Sequence, residues 1–180
     1  MQLNEYTKYK LKVIALISLL VMGTFPSYAR AVGQESDGTT VTVQVDPLDK
    51  YRDKTSLSET EVVDLLSEVG FKGKALKTAW AIVMRESRGH PLSHNNSISS
   101  GDNSYGLFQI NMIGSLGVDR REKFGIKTNQ ELFDPVKNAQ AAFYMSARGT
   151  DFGSWGLGPN AYDGSPEEST VTVWLSKFPK

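Results

Sequence analysis

The chain has 180 residues, enough for one ordinary domain with short extensions. Lys plus Arg and Asp plus Glu number 20 each, so the formal net charge is zero and no basic excess points to a nucleic-acid partner. The absence of cysteine excludes disulfides and thiolate metal sites, and two histidines make a histidine-based metal centre a poor prospect, so we expect no metal ion and no cofactor.

The first 31 residues have the features of an export signal. Three lysines precede an uncharged, mostly apolar stretch over residues 13–25, and small residues at Ser27, Ala29 and Ala31 provide two alternative cleavage sites. The apolar stretch is shorter than the roughly 20 residues that a membrane-spanning helix needs, which favours a cleaved signal peptide over a retained anchor. We therefore expect an exported protein, secreted, periplasmic or cell-wall associated, with no stable membrane insertion once residues 1–31 are removed.

Two short segments near the ends of the chain have the pattern of β-strands. Residues 32–57 are interpreted as a linker in which residues 39–45 alternate β-branched and polar side chains. Residues 170–175 repeat that pattern within residues 164–180, which we expect to form a C-terminal strand or tail. The two strands either pair into a small ribbon or stay as separate terminal segments, and the sequence favours neither alternative.

The body between these segments, residues 58–163, begins with a predicted helix. Ser58 and Glu61 have the spacing of a capping box, in which each side chain binds the backbone N–H of the other residue. Apolar residues then recur at helical spacing until Gly70, a residue type that commonly follows a helix end. The first helix of the domain is therefore predicted between Ser58 and Gly70.

Two more helices are predicted in the same body, over residues 74–87 and from Pro135 to Gly149. The latter starts after Asp134, whose side chain accepts backbone hydrogen bonds, and has proline at its first position. A polar loop and a short apolar segment, residues 105–112, separate these two helices. We therefore expect a mainly α fold with short β segments.

Glu86 stands out because it falls within the apolar arc of the second helix. At about 100° per residue, its side chain lies between Ala75 and Ala79 on the helical wheel. Burial there and the negative end of the helix both favour a protonated carboxyl, which is what a general acid needs. The alternative is a boundary residue that reaches solvent or pairs with Arg85 or Arg88. Arg85 is expected to point about 100° away, so desolvation should dominate.

Three segments of the body carry motifs in a fixed order: A-I-V-M-R-E-S-R-G-H-P at residues 81–91, S-Y-G-L-F-Q-I-N at 104–111 and D-P-V-K-N-A-Q-A-A at 134–142. Their sequence, order and spacing resemble those of the lysozyme-like superfamily, in particular soluble lytic transglycosylases and goose-type lysozymes. The resemblance covers about residues 58–163. It implies a lysozyme-like helical domain that cleaves peptidoglycan.

The resemblance also implies roles for individual residues. Glu86 matches the single catalytic acid and base of the family, and Ser104 and Gln109 match the motif that lines the sugar cleft near that glutamate. Asn138 matches a structural asparagine. The family's Ala-Tyr-Asn-Ala-Gly motif is absent in that form, and residues 153–164 read G-S-W-G-L-G-P-N-A-Y-D-G instead. Tyr162 is the candidate there for a hydroxyl that orients the glutamate.

A carbohydrate cleft needs aromatic faces and polar edges, and this chain offers both. The candidate substrate-binding residues are Ser104, Tyr105, Gln109, Asn111, Trp155 and Tyr162. Core packing is the favoured role of Phe108 and Trp80, whereas Trp155 and Tyr162 are equally compatible with core packing and sugar contact. The loop over residues 95–102 lacks the ligand pattern of an EF-hand, so no metal site is predicted there.

The activity implied by the resemblance is cleavage of the β-1,4 bond between N-acetylmuramic acid and N-acetylglucosamine. A lytic transglycosylase would form a 1,6-anhydro product with one glutamate, whereas a hydrolytic lysozyme would admit water. Asp102, Asp151 and Asp163 are candidates by position for a second carboxylate. The sequence does not separate the two reactions.

The expected partners are the glycan strands of peptidoglycan. In an alternative function, the protein is an accessory wall-remodelling or wall-binding component of a secretion, conjugation or phage machine. Its terminal strands would then serve as docking elements for the larger assembly.

Overall fold

The computed structural model describes residues 46–157 and 166–180, and its described part is mainly helical. Five α-helices occur in this part: α1 Glu59–Val69, α2 Gly73–Glu86, α3 Gly114–Phe124, α4 Pro135–Met145 and α5 Pro166–Leu175. Three short strands, β1 His94–Asn95, β2 Ser104–Tyr105 and β3 Ile110–Asn111, form an antiparallel sheet in the order β1-β2-β3. The predicted fold class is therefore confirmed. The predicted signal peptide and the strand at residues 39–45 lie outside the described residues.

Helix α1 begins at the predicted capping box. The Ser58 Oγ accepts a hydrogen bond from the Glu61 N–H at 3.3 Å, and the Ser58 N–H donates to Glu61 Oε2 at 2.8 Å. Gly70 caps the other end with φ of 123°, a conformation that side chains rarely adopt. The first predicted helix is confirmed at both ends.

Helix α2 lies at the centre of the hydrophobic core. Its residues from Thr78 to Met84 are buried, and Trp80 is fully buried with its indole N–H donating to the Glu59 carbonyl at 3.1 Å. Phe108 is also fully buried. The core role predicted for Trp80 and Phe108 is confirmed.

The compact unit starts at Pro47, before the predicted domain boundary. Tyr51 and Leu57 belong to the hydrophobic core, although residues 32–57 were interpreted from the sequence as a linker. Tyr51 and Leu57 are only 2% and 4% exposed, and the burial of their large apolar side chains favours the ordered state of this segment. Residues 47–57 therefore belong to the compact unit that starts at Pro47 and contribute to its core.

The predicted strand at residues 170–175 is wrong, because this segment belongs to helix α5. Val171 is fully buried, and Trp174 and Leu175 pack against the core on the same side. Spacings of three and four residues place these side chains on one helical face, whereas a strand would point neighbouring residues to opposite sides. Burial of that face against α2 outweighs the β-propensity of the threonines and valines.

Helix α3 was not predicted, because its sequence is polar and contains two glycines. Gly117 is required for packing: a Cβ at this position would lie 2.2 Å from the Met112 carbonyl oxygen. The helix therefore has glycine here instead of a residue with higher helix propensity, because only glycine permits this close backbone contact. The periodicity of the sequence does not reveal such a contact. None of the helices in the described part of the chain has the length and apolar character needed to cross a bilayer.

Candidate active site

Glu86 is the last residue of helix α2, and the backbone turns sharply beyond it. Arg88 and Gly89 both have positive φ, of 55° and 77°, so the helix cannot continue. The Gly89 carbonyl accepts a hydrogen bond from the Leu57 N–H at 2.8 Å, which fixes the turn to the segment before α1. This arrangement holds Glu86 at a fixed end of a buried helix.

Glu86 opens into a cleft of about 560 Å³. The cleft is formed by the end of α2, the loop before β2, strands β2 and β3 and the turn around residue 155. Its lining residues are Arg85, Glu86, Ser100, Gly101, Asp102, Ser104, Gln109, Asn111, Ser154, Trp155 and Gly156. The structure therefore brings five of the predicted site residues together.

The Glu86 carboxylate is held by its neighbour Arg85. The Arg85 Nε and Nη2 donate to Glu86 Oε1 at 2.9 and 2.6 Å, and the Glu86 side chain is 24% exposed. The expectation that Arg85 points away from Glu86 is wrong, because its long side chain folds back over the helix end. Its Nη2 also donates to the Trp155 carbonyl at 3.0 Å, so Arg85 joins the two walls of the cleft.

Asp102 supplies a second carboxylate to the cleft. Its Oδ1 accepts a hydrogen bond from the Ser104 hydroxyl and its Oδ2 accepts one from the Asn95 amide at 2.5 Å. Asp151 does not line the cleft, and its Oδ1 caps the Gly153 N–H at 2.8 Å. Asp163, the third carboxylate candidate, lies outside the described residues.

Gln109 lines the cleft in a constrained conformation. It has φ of 45°, and its Nε2 donates to the carbonyls of Ser93 and Gly106 at 3.0 and 2.9 Å. Both partners are acceptors, so the amide nitrogen must face them and the amide oxygen is directed away. The side chain is thus fixed rather than mobile, as a group that orients a substrate should be.

Asn111 lines the cleft, and its side chain forms hydrogen bonds with the backbone of the loops at the edge of the cleft. Its Oδ1 accepts hydrogen bonds from the backbone N–H groups of Asn103 and Ile113, at 3.2 and 3.0 Å. Its Nδ2 donates to the Gly101 carbonyl at 3.0 Å. These three contacts hold the loop that carries Asp102.

Of the two described aromatic residues that were predicted to contact the sugar, Trp155 lines the cleft and Tyr105 does not. Tyr105 does not line the cleft and is buried against His94 and Phe133, with ring centroids 4.3 and 5.3 Å away. Successive side chains of a strand point to opposite faces, so Ser104 faces the cleft while Tyr105 faces the core. Trp155 is 7% exposed and forms part of the cleft wall. Tyr162 lies outside the described residues.

Asn138 has the structural role that the resemblance implies. It is fully buried, its Oδ1 accepts from the Phe108 N–H at 2.9 Å, and its Nδ2 donates to the carbonyls of Tyr105 and Leu132, both at 2.9 Å. A Cβ on Gly106 would lie 2.2 Å from Asn138 Nδ2, so only glycine fits beside it. Helix α4 thereby fixes the chain that carries Gln109.

The sequence did not identify every lining residue. Arg85 was considered only as a competing ion-pair partner, although its place directly before Glu86 is a signal of proximity. Ser100, Gly101, Ser154 and Gly156 carry no chemical pattern, and only the folded loops bring them to the cleft. Among residues 46–157 and 166–180, no cluster of His, Asp and Glu side chains is arranged to hold a metal ion.

Comparison with known families gives one result for the region that contains the cleft. A family model described as "Lysozyme like domain" matches residues 63–157, which is more than half of the chain and includes Glu86 and Trp155. No curated protein and no solved structure matches the chain significantly.

Proposed function

This chain belongs to the lysozyme-like domain family, and we propose that it cleaves the β-1,4 bond between N-acetylmuramic acid and N-acetylglucosamine in peptidoglycan. The observation that carries the proposal is the position of Glu86. It is a carboxylate at the end of a buried helix that opens into a polar cleft, and it falls within the matched region. Peptidoglycan glycan strands are the proposed substrate.

The proposed first step is general acid catalysis by Glu86. Its carboxyl donates a proton to the glycosidic oxygen while the bond from that oxygen to the anomeric carbon breaks. Positive charge develops on the sugar, and the N-acetyl group of the muramic acid stabilises it. The polar wall residues Gln109 and Ser104 are fixed by hydrogen bonds, so they can hold the sugar without reorganising.

The proposed second step regenerates the acid. As the C6 hydroxyl of the muramic acid attacks the anomeric carbon, Glu86 accepts the hydroxyl proton, and a 1,6-anhydro sugar results without consumption of water. The rival step is attack by water, which gives a reducing end. Asp102 is the second carboxylate that the described part of the cleft contains, so it is the group to consider as the base for such a water.

The test is mass spectrometry of the products from purified peptidoglycan. A lytic transglycosylase releases anhydro-muropeptides, which are lighter by one water than the reducing-end products of a lysozyme. We expect Glu86→Gln to lower the rate by a factor of about 10² to 10⁴, because it removes the transferable proton. Its thermal unfolding midpoint should stay close to that of the wild type.

A matched control is Glu122→Gln, which removes an exposed carboxylate of helix α3, away from the cleft. This variant should retain full activity. Retention of more than a tenth of the activity by Glu86→Gln would refute the proposal.

The docking alternative has less support from the fold. One of its two proposed docking strands, residues 170–175, is helical and packs against α2, and the other lies outside the described residues. Export by residues 1–31 stays a prediction.

A further inference from the structure

We propose that Arg85 is a positioning residue that anchors Glu86 through one carboxylate oxygen, Oε1, and so assigns proton transfer to the other, Oε2. The inference rests on the proposed function, since it concerns the glutamate that acts there as acid and base. It adds a residue and an atom to that mechanism.

The contacts of the two oxygens are unequal. Oε1 accepts two hydrogen bonds from the guanidinium of Arg85, at 2.9 and 2.6 Å. In the described residues, no donor contacts Oε2 of Glu86. Within the part of the chain that the structure describes, one oxygen of this cleft-lining carboxylate thus accepts hydrogen bonds and the other accepts none.

A guanidinium can only donate hydrogen bonds, so it discriminates between the two sites of protonation. A proton on Oε1 would compete with the N–H groups of Arg85 for the same oxygen. A proton on Oε2 leaves both bonds from Arg85 intact. The stable protonated form consequently carries its proton on Oε2, from which it passes to the glycosidic oxygen, and Oε2 accepts the C6 hydroxyl proton in the second step.

The guanidinium is itself fixed by the opposite wall of the cleft. Its Nη2 donates to the Trp155 carbonyl at 3.0 Å, and the Trp155 indole N–H donates to the Phe108 carbonyl at 2.9 Å. The Arg85 side chain is 16% exposed. Because the guanidinium donates twice to Oε1 and is also bound to the Trp155 carbonyl, Arg85 fixes the position of that oxygen through directed N–H groups, which a lysine ammonium would not do.

Anchoring by Arg85 predicts a specific kinetic signature. Loss of its guanidinium leaves Glu86 in the cleft but removes both hydrogen bonds to Oε1, so the maximal rate should fall while the affinity for substrate changes little. A loss of activity caused only by a damaged fold would not be restored by a guanidinium compound added in solution.

The test compares Arg85→Ala and Arg85→Lys with the wild type on a soluble peptidoglycan oligosaccharide. A displacement of about 1 Å in a catalytic group costs on the order of a hundredfold in rate, so we expect kcat of Arg85→Ala to fall ten- to a hundredfold with KM changed less than threefold. Added methylguanidinium should restore part of the rate to Arg85→Ala, and Arg85→Lys should retain an intermediate rate.

The control is Arg88→Ala, which removes a cation two residues beyond Glu86. Its guanidinium lies 5.0 Å from the Trp174 ring centroid and does not line the cleft, so its loss should leave kcat unchanged. An unchanged kcat in Arg85→Ala, or a loss that methylguanidinium does not restore, would overturn the role of Arg85. Retention of more than a tenth of the activity by Glu86→Gln would instead overturn the proposed function, whatever Arg85 does.

Discussion

The buried amide of Asn138 connects helix α4 to residues 104–111, the motif segment that contains Ser104 and Gln109. Its oxygen accepts a hydrogen bond from one backbone N–H group and its nitrogen donates to two backbone carbonyl groups, in a fully buried position. An unsatisfied buried polar group costs about 1–3 kcal/mol, so one side chain controls a large part of the local stability. Gly106 accommodates the amide because a Cβ would clash with it.

We predict that Asn138→Ala lowers the free energy of unfolding by about 3–5 kcal/mol, because three buried groups lose their partner at once. Urea unfolding followed by circular dichroism measures the change. Gln140→Ala on the same helix should cost less than about 1 kcal/mol, since Gln140 is only partly buried. A loss of less than 1 kcal/mol in Asn138→Ala would contradict the bracing role.

The sequence predicts which residues reach the cleft better than how they interact there. Ser104 and Gln109 come to the cleft as their motif implies, but their hydrogen bonds to Asp102 and to the backbone depend on loops that the motif does not specify. A helical wheel gives the direction of the Cβ, not of a long side chain. For that reason the helical wheel did not predict that the Arg85 side chain folds back and donates a hydrogen bond to Glu86.

At the scale of elements, local signals worked where the controlling contacts are local. The box of Ser58 and Glu61 lies within one turn and starts α1 as predicted. The strand predicted at residues 170–175 was wrong because burial of Val171 and the contact of Trp174 with α2 outweigh a local strand pattern. The sequence from Ser165 to Glu168, with serine, proline and two glutamates, has the composition of a helix start and could have indicated the outcome.

The capping box gives α1 a pH dependence. Lys54, at 2.8 Å, and then the N–H and hydroxyl of Ser58 lower the pKa of Glu61 to about 2. Since the folded pKa lies below the unfolded value of about 4.3, this interaction stabilises the protein fully above about pH 5 and is lost as the pH falls towards 2.

We predict that Glu61→Gln lowers the free energy of unfolding at pH 7 by about 0.5–1 kcal/mol, a value kept small because solvent screens this partly exposed pair. The difference from the wild type should shrink as the pH is lowered from 5 to 2. Unfolding curves across that pH range provide the measurement. Glu59→Gln, two residues earlier in the same first turn of α1, should show a smaller effect, and an equal pH dependence in both variants would contradict the assignment.

On the scale of the whole molecule, stability rests on packing around α2. The chain contains no cysteine, so no disulfide contributes. Trp80 of α2 meets Trp174 and Phe178 edge to face, with centroids 6.2 and 5.4 Å away. Trp174 and Phe178 near the C-terminus thus cover Trp80 on α2, the helix that ends in Glu86.

We predict that Trp174→Ala lowers the free energy of unfolding by about 2–3 kcal/mol, somewhat less than for a fully buried tryptophan. The loss combines an aromatic pair with contacts to the cations of Arg88 and Lys177, at 5.0 and 4.8 Å from the ring centroid. Thermal unfolding measures the effect. Val173→Ala, the neighbouring residue with 54% exposure, is the control and should unfold within a few degrees of the wild type. Equal midpoints for the two variants would show that α5 is not a structural clamp.

The placement of the tryptophans gives the molecule two separate optical reporters. Its three indoles are Trp80, Trp155 and Trp174. Trp80 and Trp174 lie close enough for their electronic transitions to couple, so their near-ultraviolet circular dichroism depends on intact packing between α2 and α5. Trp155 lies in the cleft wall, with its carbonyl bound to Arg85, so we expect its fluorescence to change when the proposed sugar substrate enters the cleft. One unlabelled sample can therefore report ligand binding and loss of tertiary packing through different chromophores.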